Sequence, residues 1–295
     1  MLDWFSSPPQ SDRQGGLQSI NTRNKLVASD ARETLEARRY ACACSITLDG
    51  SGHGSGFLIA DDLVMTNHHV VFDADAGKFF EPSRIKCRFN FFSDGHYEND
   101  EHEWIALPQD EKEAYVVHSP TAPGDDLLSL NRSDYVDSAG APLLDYVVLR
   151  LTEQVGKQAG QTPLNPEVRP LGWIAMDEAP GIGQKLSVFQ FPERVGRSGD
   201  FSQQPLQTSD SSVVEIIAGG LRARYDPSTL RGSSGSAVFD GTRLVGLHNA
   251  GEQEENKGNN RFVPMDLILK DLAVRSPKLH ATLINARPPA IVVRL

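Results

Sequence analysis

Cysteine, long apolar runs and positive charge are all scarce in this chain. Three cysteines occur in 295 residues, Cys42, Cys44 and Cys87. An odd and small number gives no disulfide framework, and the spacing supplies no fourth ligand for a zinc site. Buried structural thiols are the expectation, with Cys42 and Cys44 on one face of an extended segment. No stretch approaches the roughly 20 apolar residues of a membrane-spanning helix. The opening "MLDWFSSPPQSDRQGG" has neither the basic start nor the apolar run of a secretory signal. A soluble protein of a reducing, cytoplasmic compartment is therefore expected, without membrane attachment. Lys and Arg number 29 against 39 Asp and Glu, for a net charge of −10. That balance argues against a nucleic-acid partner held by phosphate contacts.

The chain changes texture along its length. Residues 1 to about 22 form a polar arm, and "SDARETLEARRYA" (29–41) reads as a helix capped by Ser29 or Asp30. From residue 41 onward, short β-rich runs alternate with Gly, Asp, Asn and Pro. "CSITL", "SGFLIA", "LVMT", "IKCRFNFF", "AYVVHS" and "DYVVLRL" make a first set. "KLSVFQF", "SVVEIIA", "LRARY", "SAVFD", "RLVGLH" and "NRFVPM" make a second. Such spacing predicts an all-β architecture of barrels or sandwiches. The sets divide at "QVGKQAGQTPLNPE", which gives units of 41–160 and 161–275 after an N-terminal segment of 1–40. "MDLILKDLAV" (265–274) has helical periodicity and would close the second unit. Residues 276–295 are left as a tail.

Three local patterns stand in the order His, Asp, Ser. They are "GSGFLIADDLVMTNHHVV" (54–71), "LLDYVVLRL" (143–151) and "RGSSGSAVFD" (231–240). Each alone is weak, since an Asp before a strand and a Gly/Ser turn are commonplace. Together they fit one chemistry. A serine hydroxyl attacks well only when an imidazole takes its proton, and that imidazole needs a carboxylate to fix its tautomer. Glycines beside the serine let backbone N–H groups face the developing oxyanion. The order excludes an α/β-hydrolase, in which Ser precedes Asp and His within a Gly-x-Ser-x-Gly elbow. Adjacent histidines do not share a face, and His53 in "GSGHGSG" completes no carboxylate–histidine group. No metal site is therefore expected.

From about residue 41 to 275 the chain resembles the chymotrypsin-fold (trypsin-like) serine peptidases, in the bacterial branch of glutamyl endopeptidases and HtrA-like enzymes. Thr66, Asn67, His68, His69 and Val70 match that branch's Thr-Asn-x-His-Val, and Gly232, Ser233, Ser234 and Gly235 match its Gly-x-Ser-Gly. The resemblance implies two antiparallel six-stranded β-barrels with an N-terminal and a C-terminal helix. It also implies catalytic His69, Asp145 and Ser234, and an oxyanion hole from the N–H groups of Gly232 and Ser234. No cofactor is implied. His68 falls on the variable position and is expected to face away from Ser234. Ser233 stands where trypsin has the aspartate that receives a new amino terminus. A preformed site or control by a regulatory protein partner is the consequence. Ser228 replaces the basic-specific aspartate, whereas Thr229 and His248 match the pair with which glutamyl endopeptidases hold an acidic side chain. An intracellular endopeptidase that processes protein or peptide substrates, with acidic P1 preference, is the expectation. The alternative is a protease-like fold serving as a binding or regulatory module.

Overall fold

The computed structural model describes residues 27–28, 41–91, 104–127, 129–162, 165–170, 172–176, 185–195, 201–241, 243–251 and 260–288. The arm, the end of the tail and the helix expected over 29–41, apart from Ala41, lie outside them. Strands that build the two main sheets are numbered here in chain order. They are β1 (Val27–Ala28), β2 (Ala43–Leu48), β3 (Ser51–Leu58), β4 (Leu63–Thr66), β5 (Ile85–Arg88), β6 (Trp104–Ala106) and β7 (Tyr115–Ser119). β8 (Tyr146–Arg150), β9 (Lys185–Gln190), β10 (Gln207–Ile217), β11 (Arg222–Tyr225), β12 (Ala237–Asp240), β13 (Arg243–Ala250) and β14 (Asn260–Pro264) follow.

The fold is mostly β, as expected, but the two sheets close differently. The second runs β1-β10-β9-β12-β13-β14-β11, and β10 also pairs with β11, which closes a six-stranded antiparallel barrel with β1 on its outside. The first runs β6-β5-β2-β3-β4-β8-β7 and stays open among the described residues. It is a seven-stranded half-barrel rather than the six-stranded closed barrel expected. Residues expected to link the barrels form a small hairpin of their own, Ala159–Thr162 with Asn165–Pro170.

Period-two patterning explains how one core serves both sheets. Leu186 and Val188 of β9, Ala223 and Tyr225 of β11, Val238, Val245 and Phe262 fill the second barrel. Their alternates Phe189, Phe239, Leu244 and Val263 face the other way and join the core of the first sheet, with Phe57, Met65 and Val148. Cys42, Cys44 and Cys87 are buried there, and none is in a disulfide among the described residues. Helix α1 (Met265–Arg275) buries Ile268, Leu269 and Leu272, and the Tyr146 hydroxyl donates to its Asp271 at 2.8 Å. The segment expected as a tail begins instead with a second helix, α2 (Pro277–Asn285). Pro277 starts it, where the missing N–H costs nothing, and Leu283 is buried.

A polar latch joins the barrels on one side. Arg222 of β11 is fully buried and grips Asp125 bidentately, Nε to Oδ1 at 2.9 Å and Nη2 to Oδ2 at 2.6 Å. Nη2 also donates to the Leu143 carbonyl, and the guanidinium lies 4.8 Å from the Tyr135 ring centroid. Arg261 of β14 adds a bond from Nη1 to the Tyr135 hydroxyl at 2.6 Å. The segment 122–143 is thus held by the second barrel, although it belongs to the first. Removing one partner of a buried ion pair strands the other charge. Arg222→Met is expected to lower unfolding free energy by about 3–5 kcal/mol in urea titration, and adding Asp125→Leu should restore most of it. A cost below about 1 kcal/mol for the single variant would show that the latch does not hold the barrels.

Candidate active site

Three strand ends meet at Asp145. In the antiparallel pair β4–β8, Thr66 faces Val147, so the residues after β4 arrive beside the residue before β8. In the pair β7–β8, Ser119 faces Tyr146, which brings Pro120 and Thr121 to the same place. Asp145 itself is fully buried and takes a left-handed backbone conformation, φ 47°, that Asp tolerates better than most residues. Its backbone is tied down on every side. Its N–H donates to the Pro120 carbonyl at 3.0 Å, and its carbonyl accepts from Asn67 Nδ2 at 2.9 Å and from the His68 N–H at 3.3 Å.

The carboxylate is equally occupied. Oδ2 lies 2.8 Å from His69 Nδ1, while Oδ1 accepts from the His69 backbone N–H at 3.1 Å and from the Thr121 hydroxyl at 2.7 Å. Burial disfavours the charged carboxylate, but the His69 charge and these hydrogen bonds outweigh it and hold its pKa below the ordinary value. For His69 burial likewise opposes charge, and Asp145 overcomes it, so its pKa is raised. The other histidines nearby go the opposite way. His53 and His68 are lowered to about 4 and His248 to about 3, chiefly by burial. His69, with 35% of its side chain exposed, is the imidazole of this group whose proton affinity is raised rather than lowered.

The Ser234 loop comes from the second barrel and is fastened to the first by Ser55. The Ser55 N–H donates to the Ser234 carbonyl at 2.8 Å, and its hydroxyl donates to the Gly232 carbonyl at 2.8 Å while accepting from the Phe191 N–H. Its own carbonyl accepts from Thr66 Oγ1 at 2.7 Å. Gly235, at φ 87°, passes so close that a Cβ would lie 2.0 Å from the Ser55 oxygen. Gly54, next to Ser55, would carry a Cβ 2.7 Å from Val70 and 3.3 Å from the Ser234 carbonyl. The helical turn bearing His69 and the loop bearing Ser234 therefore converge over one β3 backbone.

Two peptide planes in this loop are oriented by their carbonyls. The Arg231 carbonyl accepts from the Glu193 N–H at 2.6 Å, and the Ser233 carbonyl accepts from the Ser236 N–H at 3.1 Å. Because trans peptides are planar, the N–H groups of Gly232 and Ser234 point away from those partners. Ser233, in the position of trypsin's aspartate, is buried within the loop: its N–H donates to the Leu230 carbonyl and its hydroxyl accepts from the Leu230 N–H. Ser234 itself is 8% exposed.

Thr229 and His248 stand on the second-barrel side of the loop, both fully buried. Thr229 donates to Asn260 Oδ1 at 2.7 Å. His248 Nδ1 lies 2.6 Å from the Tyr225 hydroxyl, and the Arg261 backbone also bonds the imidazole. Burial disfavours charge on His248. Arg231 pairs with the buried carboxylate of Glu193 at 2.9 Å. Sequence reasoning missed Thr121, Ser55 and Glu193, whose importance arises only from contacts across the fold. Among the described residues, no group of three or more His, Cys, Asp or Glu could hold a metal.

Comparison with known proteins places the fold. The family model for the trypsin-like peptidase domain matches residues 54–247, a span containing His69, Asp145 and Ser234. An uncharacterized protein, y4fB, of Sinorhizobium fredii is 26% identical over 229 residues, covering 74% of this chain and 28% of that protein. Glutamyl endopeptidase of Staphylococcus epidermidis is 33% identical over 90 residues, 30% of this chain and 31% of that protein. The chain thus spans under a third of the length of these curated relatives. Among solved structures, a Glu endopeptidase in complex with MPD superposes with a TM-score of 0.53 at 20% identity, over 88% of this chain and 98% of that one. The scabies mite inactivated protease paralogue S-D1 gives 0.52 at 13% identity, over 82% and 95%. These two likenesses concern the fold. With the family model spanning more than half of its length, the chain belongs to the trypsin-like peptidase domain family.

Proposed function

We propose that the protein is a serine endopeptidase working through His69, Asp145 and Ser234. The observation that carries it is the His69–Asp145 pair, 2.8 Å apart, with His69 raised among neighbouring imidazoles that are lowered. His69 takes the Ser234 proton as Oγ attacks the scissile carbonyl, and Asp145 holds the imidazole tautomer and stabilises the imidazolium. The N–H groups of Gly232 and Ser234 receive the oxyanion, each such donor being worth about 3 kcal/mol in the transition state. His69 then returns the proton to the leaving amine, and water, deprotonated by the same imidazole, hydrolyses the acyl-enzyme. The bonded Arg231 and Ser233 carbonyls support a preformed oxyanion loop that needs no processed amino terminus. The buried cysteines, none in a disulfide among the described residues, support a reducing compartment, and hence an intracellular processing role.

The inactivated paralogue that shares the fold keeps a binding module as the rival, because fold alone does not fix activity. Variants separate the two. His69→Ala and Ser234→Ala should each lower kcat by several orders of magnitude with folding intact, as for any group acting only in the transition state. Hydrolysis that survives Ser234→Ala would reject the proposed nucleophile.

The pH profile gives a second test. As pH falls His69 binds a proton and ceases to be a base. Asp145 raises its proton affinity, so kcat/KM should fall around a midpoint above the ordinary histidine value of about 6.5. Activity that stays flat down to about pH 5 would contradict His69 as the base.

An acidic P1 preference is supported by Thr229 and His248 together and by the partial match to a glutamyl endopeptidase. With His248 neutral and the Thr229 proton given to Asn260, an acidic side chain would be read only by donors that exchange these bonds for it, not by an imidazolium. Peptides with Glu at P1 should be cleaved faster than matched Gln peptides, by less than about tenfold, and His248→Ala should remove the difference. Equal rates in the wild type would take His248 out of substrate recognition.

A further inference from the structure

We infer that Thr121 is a positioning residue that ties both adjacent histidines to one carboxylate, His69 directly and His68 through the Thr121 hydroxyl. The proposal rests on the peptidase function above and extends it to Thr121, outside the three signatures, and to His68 at the variable position of the first. Thr121 Oγ1 lies 2.7 Å from Asp145 Oδ1 and 3.3 Å from His68 Nδ1. A hydroxyl has one proton, and an ionised carboxylate can only accept. The Thr121 proton therefore goes to Asp145, and the contact with His68 requires Nδ1–H donating to the Thr121 oxygen. His68 is held for this task. Its ring lies 4.4 Å from Phe72 and 5.3 Å from Phe79 by centroid, and burial keeps it neutral. Its own backbone N–H donates to the Asp145 carbonyl.

The consequence is a carboxylate with no rotational freedom. Oδ1 is fixed by two donors, so Oδ2 can only face His69 Nδ1. Without Thr121 the backbone N–H of His69 would hold Oδ1 alone. His68, expected from its sequence position to face away, serves the same centre from behind the carboxylate.

The test uses the full chain with Thr121→Val, Thr121→Ser, His68→Phe and the Thr121→Val/His68→Phe double variant. Peptide hydrolysis is read as separate kcat and KM, and the His69 Nδ1 proton is followed by low-field proton NMR. Thr121→Val should lower kcat about 10- to 100-fold, the worth of one hydrogen bond to a charged group, with KM within about twofold. The His69 resonance should shift or broaden. Thr121→Ser should stay within about threefold of wild type and keep the resonance. His68→Phe keeps the ring packing and should cost less than Thr121→Val. It should add nothing in the Thr121→Val background, since the two act in one chain. Thr121→Ala, with the same expectation, substitutes if the valine variant does not fold. Wild-type kcat and resonance in Thr121→Val, a serine variant as impaired as the valine one, or fully additive effects would each overturn the proposal. The resonance reports on Thr121 without turnover. Absence of hydrolysis by wild type, or hydrolysis surviving Ser234→Ala, would instead overturn the peptidase function and leave this result separately readable.

Discussion

The structure around the site depends on keeping one buried carboxylate charged. Removing an isolated carboxylate from water costs several kcal/mol, and an unpaired one would take up a proton. Asp145 avoids this with three donors on its two oxygens, from the His69 ring, the His69 backbone and Thr121. The arrangement also fixes the backbone. A left-handed residue that is not glycine costs on the order of 1–3 kcal/mol, and it persists where surrounding bonds over-determine it. Asn67, His68 and Pro120 supply those bonds. Charge and conformation at Asp145 are thus secured by the ends of three neighbouring strands.

Position alone would not produce chemistry, because Ser234 arrives from the other barrel. Two joints set the distance between them. On one side Ser55 of β3 holds the carbonyls of Gly232 and Ser234, leaving no room for a side chain at Gly235. On the other, Arg222 and Arg261 of the closed barrel grip the segment carrying Asp125 and Tyr135, which leads from Thr121 to Asp145. Among the described residues the half-barrel lacks the closure of its partner, and the second joint holds the segment between β7 and β8 at its edge. Stability and catalytic geometry are coupled here through the same side chains.

Much of this was legible from local pattern. "TNHHVV", "LLDYVV" and "RGSSGS" are short because strand ends and tight turns are built from adjacent residues, and their backbone demands show directly as Gly, Asn and Asp. "KLSVFQF" reads as a β-rich run, and it forms β9. What stayed hidden depends on distant partners. Thr121 lies in "SPTAP", where nothing distinguishes it from a loop threonine, and only the β7–β8 register brings it to Asp145. Arg222 reads as an ordinary strand arginine until Asp125, far upstream, is placed against it. His68 falls on the variable position of the Thr-Asn-x-His-Val pattern, and the expectation that it faces away rests on strand alternation, whereas the strand ends at Thr66 and the histidines begin a helical turn. The burial of His248 and its Tyr225 partner are likewise properties of the closed barrel, not of the local sequence. The open edge of the first sheet was not foreseeable, since strand number does not dictate closure.

The most direct measurement of the central claim is the rate at which a fluorophosphonate probe modifies the protein, with the adduct located by mass spectrometry, in wild type and in Asp145→Asn. The account predicts modification of Ser234 in wild type and a rate about 10⁴-fold lower in Asp145→Asn, because the amide presents the wrong partner to His69 Nδ1. Equal rates in the two proteins, or an adduct on a residue other than Ser234, would contradict it.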